Sequence, residues 1–340
     1  MYATHTRKLW TLLTAGILAA LSLSGCQSSL SPDGQTAVTL SEVAHSIFYA
    51  PQYAAIELGY FEEEGIDLTL VNAGGADKVM TSLISGDAQI GFMGSEASIY
   101  VYQEGSDDPA VNFAQLTQRA GNFLVGRQAE EDFKWQDLRG KTVLGGRAGG
   151  MPQMVFEYIL KKNGLDPVND LTIDQSISFG LTAAAFTSSA ADYTIEFEPF
   201  ATTLEMEGSG AVVASLGTES GYVPYTAYSA RKSYLKQHPE VIQSFTNAIQ
   251  KGLDYVNSHS SEEIAKVISP HFKETPVDKL ALIVDRYKSQ DTWKEDTVFE
   301  ENSFTLLKRI LEEAGELKAE VPYNELVTMD FSKKAAKNSQ

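Results

Sequence analysis

The chain is poor in the residues that build metal centres and disulfides. Cys26 is its one cysteine in 340 residues, which excludes an intramolecular disulfide and any site made of several thiolates. The five histidines, His5, His45, His238, His259 and His271, are scattered. No His/Asp/Glu cluster has metal-ligand spacing, so neither a metal nor another cofactor is expected. Basic charge is scarce too: 27 Lys and Arg stand against 45 Asp and Glu, a formal charge of −18. Such a surface repels phosphate backbones and anionic headgroups, and nucleic acid is not expected as a partner. A Gly-x-Ser-x-Gly elbow with a partner histidine is missing, so nucleophilic hydrolysis lacks its constellation. There is no internal repeat, and beyond the N-terminus no stretch approaches the roughly 20 apolar residues of a membrane span.

What is present begins with targeting chemistry. Arg7 and Lys8 precede an apolar stretch, Leu9 to Leu23, interrupted by Thr11, Thr14, Gly16 and Ser22. This is the anatomy of a secretory signal. Leu23-Ser24-Gly25-Cys26 resembles a bacterial lipobox, which implies cleavage before Cys26 and a lipid on its sulfur. Residues 1–25 are therefore read as a signal peptide and 26–36, polar and turn-rich, as a tether. The expected location is the extracytoplasmic face of the cell membrane, held by the lipid.

The remainder is long enough for two domains, and its 43% hydrophobic content is that of a globular protein. Val38–Leu40, Ile66–Val71 and Ala88–Phe92 read as strands, separated by helices over Pro51–Leu58 and Ala76–Ser85 and followed by one from Glu96 to Tyr102. The pattern restarts near Phe123: strands Leu124–Gly126, Lys141–Leu144, Leu171–Ile173, Tyr193–Ile195 and Ala211–Ala214 alternate with helices over Met151–Lys162, Leu181–Phe186 and Pro199–Glu207. From Ser233 the chain reads as almost entirely helical. Alternation of this kind implies α/β units with mainly parallel sheets flanked by helices, and ligands beyond the carboxyl ends of the strands.

Several fragments carry a family resemblance: Phe48-Tyr49-Ala50-Pro51-Gln52-Tyr53-Ala54-Ala55, then Glu57-Leu58-Gly59-Tyr60-Phe61 through Leu68, Gly74-Gly75-Ala76-Asp77-Lys78, Gly86-Asp87-Ala88-Gln89-Ile90-Gly91, Asp137 to Val143, and Glu198-Pro199. In their order and spacing these resemble the type II periplasmic-binding-protein-like receptors of ABC importers, the nitrate, sulfonate and taurine group that also holds receptors for thiamine-precursor pyrimidines. The resemblance covers about residues 37 to 315. It implies a two-lobed α/β fold, with 37–120 plus 229–340 as one lobe and 121–228 as the other. Gln118–Phe123 and Tyr225–Ala230 are the expected crossing segments. It further implies a monomer that closes on a small-molecule ligand and hands it to a membrane ABC permease with a cytoplasmic ATPase, without catalysis. An alternative from the same superfamily is a pyrimidine synthase that uses a histidine and a cysteine-rich iron-binding segment; the scattered histidines and lone cysteine speak against it. A ligand-sensing lipoprotein without transport remains a third reading, because fold does not fix function.

The loops after the strands supply the candidate ligand-binding residues: His45, Phe48, Tyr49, Tyr53, Gly75, Ser95, Glu96, Gln118, Arg147, Gly149, Glu196, Glu198 and Tyr225. Glycine pairs before helices can bring backbone N–H groups to a ligand or merely make tight turns. Glu96 and Glu198 at helix starts offset the dipole an anion would need. Together with Phe179, Tyr193, Phe197 and Tyr222 in or beside the same loops, they favour a flat ligand bearing amino groups, such as an aminopyrimidine. Arg147 points the other way, since a guanidinium in a Gly-rich loop can clamp a carboxylate, sulfonate or phosphate.

Overall fold

The structure is a computed structural model that describes residues 34–177 and 180–338. The signal segment, Cys26, the tether to residue 33 and Phe179 lie outside the described residues.

Among the described residues, ten strands form two five-stranded sheets. The first holds β1 (Thr36–Glu42), β2 (Ile66–Asn72), β3 (Ile90–Gly94), β4 (Ala110–Thr117) and β10 (Thr226–Arg231), in the order β2-β1-β3-β10-β4. The second holds β5 (Asn122–Gly126), β6 (Thr142–Leu144), β7 (Thr172–Asp174), β8 (Tyr193–Phe197) and β9 (Ala211–Ser215), in the order β7-β6-β8-β5-β9. In each sheet the odd strand out is the one by which the chain arrives from the other sheet: β10 runs antiparallel to β3 and β4, and β5 to β8 and β9. The remaining pairs, β1 with β2 and β3, and β6 with β7 and β8, are parallel. Parallel pairing needs a return crossover, which the intervening helices provide, whereas a direct crossing can deliver an antiparallel strand.

The edge strand β2 alternates buried and solvated positions, as a one-sided strand should. β4 does the opposite: all eight residues are buried. It gave no alternation in the sequence, and Thr117-Gln118 reads there as a loop. Asn112 finds partners instead of solvent, donating to Ser98 Oγ at 2.8 Å and to the Leu326 carbonyl at 3.1 Å. The C-terminal segment covers this edge through bridges Asn112–Val327 and Thr117–Trp293.

The crossings also differ from expectation. β4 ends at Thr117 and β5 starts at Asn122, so the first crossing is 118–121. The second is 216–225 rather than Tyr225–Ala230, because most of that stretch is β10. After β10 the helix Pro239–Ser258 packs on the helix Ala50–Glu57 at Gly252, and its Phe245 ring meets Phe61, Phe113 and Tyr228. The helix Glu301–Glu313 instead packs on Met151–Lys162, which flanks the second sheet.

Candidate functional site

A cavity of about 950 Å³ lies between the two sheets, bounded by the turns that follow β1, β3, β6 and β8 and by Tyr225 and Thr226 at the start of β10. That is room for a drug-sized or smaller molecule. From the first sheet come Phe48 and Tyr49, Gly75, Asp77, Glu96 and Tyr100; from the second come Arg147, Gly149, Gln175, Thr182, Glu196 and Phe197. Phe48 and Tyr225 pack edge-on with centroids 5.6 Å apart, and Phe197 meets Phe48 at 5.9 Å, so the back wall is aromatic.

Two buried carboxyls face this space, one from each side. Glu96 opens the helix Glu96–Gln103 and is 4% exposed. Its carboxyl folds back into a space that Gly94 leaves: a Cβ on Gly94 would stand 2.1 Å from Glu96 Oε2. Burial pushes the Glu96 carboxyl up to about 8, while the backbone N–H groups of Glu96 and Met151 and the charge of Arg147 pull it down. Oε2 is buried with no hydrogen-bond partner. The hydroxyl of Tyr225, also buried, has none either. Unpaired polar atoms in a cavity wall are costly and call for a partner. Glu196, at the end of β8, is pushed up to about 7 by burial and pulled back by Thr194 and Thr182, whose hydroxyls donate to it at 2.6 and 2.9 Å.

The two sides touch across the mouth. Tyr100 donates its hydroxyl to the Gly149 carbonyl at 3.0 Å, and Arg147 lies 3.7 Å from Asp77. Both members of the ion pair are exposed, so it adds little stability, but it engages the guanidinium the sequence offered as an anion clamp.

Of the thirteen candidates, the structure brings Phe48, Tyr49, Gly75, Glu96, Arg147, Gly149, Glu196 and Tyr225 to the cavity. The other five are placed elsewhere. His45 turns away to Glu42 Oε1 at 3.0 Å and the His271 carbonyl at 2.9 Å, because the buried Glu42 gathers donors; that contact raises the histidine above its ordinary value. Tyr53 is fully buried and donates to the same carboxylate at 2.9 Å. Ser95 Oγ donates to the Pro224 carbonyl. Gln118 binds the Asp291 and Trp293 carbonyls at 3.2 Å each. Glu198 accepts from the Thr202 hydroxyl at 2.9 Å and from Arg286 at 2.6 Å. Asp77, Tyr100, Gln175 and Thr182 were missed. Tyr100 sits one helical turn after Glu96, and that spacing was the available signal.

Two α/β lobes joined by two crossings around one cavity define a periplasmic-binding-protein-like architecture. A family model described as NMT1/THI5 like matches residues 47–263, and the chain belongs to that family. It is 44% identical over 318 residues to "Putative binding protein YtlA" of Bacillus subtilis (strain 168), with 94% of each chain covered. The 4-amino-5-hydroxymethyl-2-methylpyrimidine phosphate synthase THI5 of Saccharomyces cerevisiae is 23% identical over 227 residues, 62% of this chain and 63% of that one. Among solved structures, a ligand binding component of an ABC-type import system from Staphylococcus aureus, with zinc bound, has a TM-score of 0.70 at 17% identity, covering 88% of this chain and 99% of that one. The alkanesulfonate-binding protein SsuA from Xanthomonas axonopodis pv. citri, bound to MOPS, has a TM-score of 0.67 at 14% identity, covering 86% and 98%.

Proposed function

We propose that the protein is the solute-capturing component of an ABC importer, tethered outside the cell by a lipid on Cys26, and that it holds a small flat molecule with amino groups, an aminopyrimidine above all, between its lobes. The observation that carries the ligand class is Glu96, a carboxyl buried in the cavity wall with one oxygen left without a partner. Burial keeps a proton on this carboxyl at neutral pH, so an amino group that donates to it beside a ring nitrogen that accepts its proton matches it, and the Phe48, Phe197 and Tyr225 rings supply stacking faces. Nitrate, sulfonate or taurine is the second choice. The first turn of the helix Met151–Lys162, which an anion would use, has the Glu96 carboxyl against it, and Arg147 is paired with Asp77. A synthase role is disfavoured by the single cysteine and by the absence of a histidine from the cavity lining among the described residues. Ligand-site roles go to the eight candidates in the cavity together with Asp77, Tyr100 and Thr182.

Capture in the micromolar to nanomolar range corresponds to about 8–12 kcal/mol and raises the melting temperature as ligand is added. A thermal-shift panel of aminopyrimidines, taurine, alkanesulfonates, nitrate and riboflavin, run on the chain beginning after Cys26, decides the class. Stabilisation by an aminopyrimidine that Glu96→Gln abolishes is the expected result. Stabilisation by sulfonates alone, unaffected by Glu96→Gln, overturns the ligand assignment. Mass analysis of membrane-extracted protein checks the anchor, since an unmodified Cys26 removes it.

A further inference from the structure

The polar groups that join the lobes at their back concentrate on a stretch that ligand capture does not use, Arg286 to Trp293. It begins in the last turn of the helix Val277–Ser289, far in sequence from both crossings, and continues through a turn at Gln290 and Asp291 to Trp293, which bridges to Thr117. Asp291 within it adopts the left-handed backbone region at φ 58, which a non-glycine residue keeps only when its surroundings impose it.

We propose that Arg286–Trp293 is a strap that fixes the angle between the lobes, with Gln290 as its positioning residue. The proposal rests on the reading of the lobes as the moving parts of a receptor. The Gln290 amide nitrogen donates to the Ala120 carbonyl in the first crossing at 3.1 Å, and its oxygen accepts from Ser215 Oγ, where the second crossing begins, at 2.6 Å. One side chain therefore ties the first crossing to the last residue of β9, from which the second crossing departs, and it is 8% exposed. Neighbours repeat the pattern. Tyr287 donates to the Gly121 carbonyl at 3.0 Å, Tyr222 of the second crossing donates to Asp291 Oδ2 at 2.6 Å, and Gln118 N–H donates to the Thr292 carbonyl at 2.8 Å. The crossings themselves pair through Val223 N–H to the Gln118 carbonyl at 2.9 Å and lie so close that a Cβ on Gly217 would stand 2.3 Å from the Ala120 oxygen. Arg286 then holds the second lobe directly through Glu198 and Glu205 at 2.6 and 2.5 Å. Rotation of one lobe against the other must shear these segments past each other, so the groups that bond all of them govern how far and how freely the cleft opens.

The test reads lobe geometry without ligand. Residues 34–340 contain both sheets and no cysteine, so Ile84→Cys on the first lobe and Val168→Cys on the second, both exposed, accept one spin label each. Pulsed electron–electron distances are then compared among the labelled parent, Gln290→Met, which keeps the bulk but none of the bonds, including the one to Thr292 Oγ1 at 2.8 Å, and Ser215→Ala, which removes the Gln290 bond at the end of β9 together with the cap on Thr218 N–H at 3.0 Å. The expected result is a broader distribution shifted to longer distance for Gln290→Met and a smaller shift of the same sign for Ser215→Ala, with unchanged circular dichroism. Distributions identical to the parent in both variants overturn the strap even if their melting temperatures fall. Should Gln290→Met not fold, Ser215→Ala decides alone. The receptor reading is tested separately by adding the aminopyrimidine and sulfonate panel to the parent: no narrowing with any solute counts against capture, while a widened Gln290→Met still supports the strap.

Discussion

Glu96 and Glu196 reach the same cavity from opposite lobes, yet their surroundings differ. Glu196 is satisfied by two threonine hydroxyls; Glu96 keeps an unpaired oxygen. This separates a carboxyl that holds the wall together from one left available to a ligand. The same burial makes Glu96 a stability sensor. Its carboxyl is pushed from 4.5 up to about 8, so between those values the folded protein retains a proton that the unfolded chain has released. Stability therefore falls as pH rises through that window, by an amount on the order of a few kcal/mol, and the loss is complete above it. Urea unfolding at pH 5 and pH 8.5 reports this: Glu96→Gln shows a smaller fall than wild type. Glu196, pushed up to about 7, acts in the same direction and keeps the slope from vanishing. Equal falls in both proteins contradict the burial of Glu96. Arg147 gives the contrasting case. Its pair with Asp77 is exposed on both sides, so Arg147→Ala alters the unfolding free energy by less than about 1 kcal/mol, measurable in the same titration.

At the scale of elements, the helices that flank the first sheet show local preference and packing opposed. Gly252 lies inside the helix Pro239–Ser258, where alanine would be preferred by about 1 kcal/mol. A Cβ there would stand 2.3 Å from the Pro51 carbonyl oxygen and 3.0 Å from the Ala55 Cβ. Overpacking against backbone costs about 1–3 kcal/mol, so Gly252→Ala is expected to lower stability by about 1–2 kcal/mol in thermal or urea unfolding. A stabilised variant would mean that the two helices are not in this contact. β4 illustrates a different conflict. Buried along its whole length and carrying Asn112 and Gln115, it has neither the alternation of a half-exposed strand nor the apolar run of a central one. Its legibility depended on partners supplied by the C-terminal residues, and no local pattern encodes those. The helices Ala76–Ser85 and Met151–Lys162, each bounded as expected, carry their own apolar faces and were readable for that reason.

For the whole molecule, the two sheets share one strand order, and the cavity lies where each directs the ends of its strands. A ligand held there contacts both lobes and stabilises the folded protein by an amount that grows with the logarithm of its concentration. At 100 times the dissociation constant it adds about 2.7 kcal/mol to the unfolding free energy. Small-angle scattering should then show a smaller radius of gyration with the stabilising solute than without it; a bound solute that leaves the radius unchanged argues against closure as the signal to a permease.

The sequence by itself determined the alternation of strands and helices, the two-part α/β architecture, the family, and the loops from which the cavity is built, because periodicity and turn chemistry are local properties of the chain. It also placed three glutamates near the site and singled out Glu96 and Glu198, at helix starts, as the ligand's acceptors. Only the tertiary structure decided that Glu96 and Glu196 face the cavity while Glu198 turns to Arg286, 88 positions later in the chain. It likewise decided that His45 serves Glu42 and that Gln290 joins the first crossing to the end of β9. Those outcomes depend on which distant donors arrive within about 3 Å of each buried acceptor, a distance set by the packing of the two lobes and the C-terminal helices.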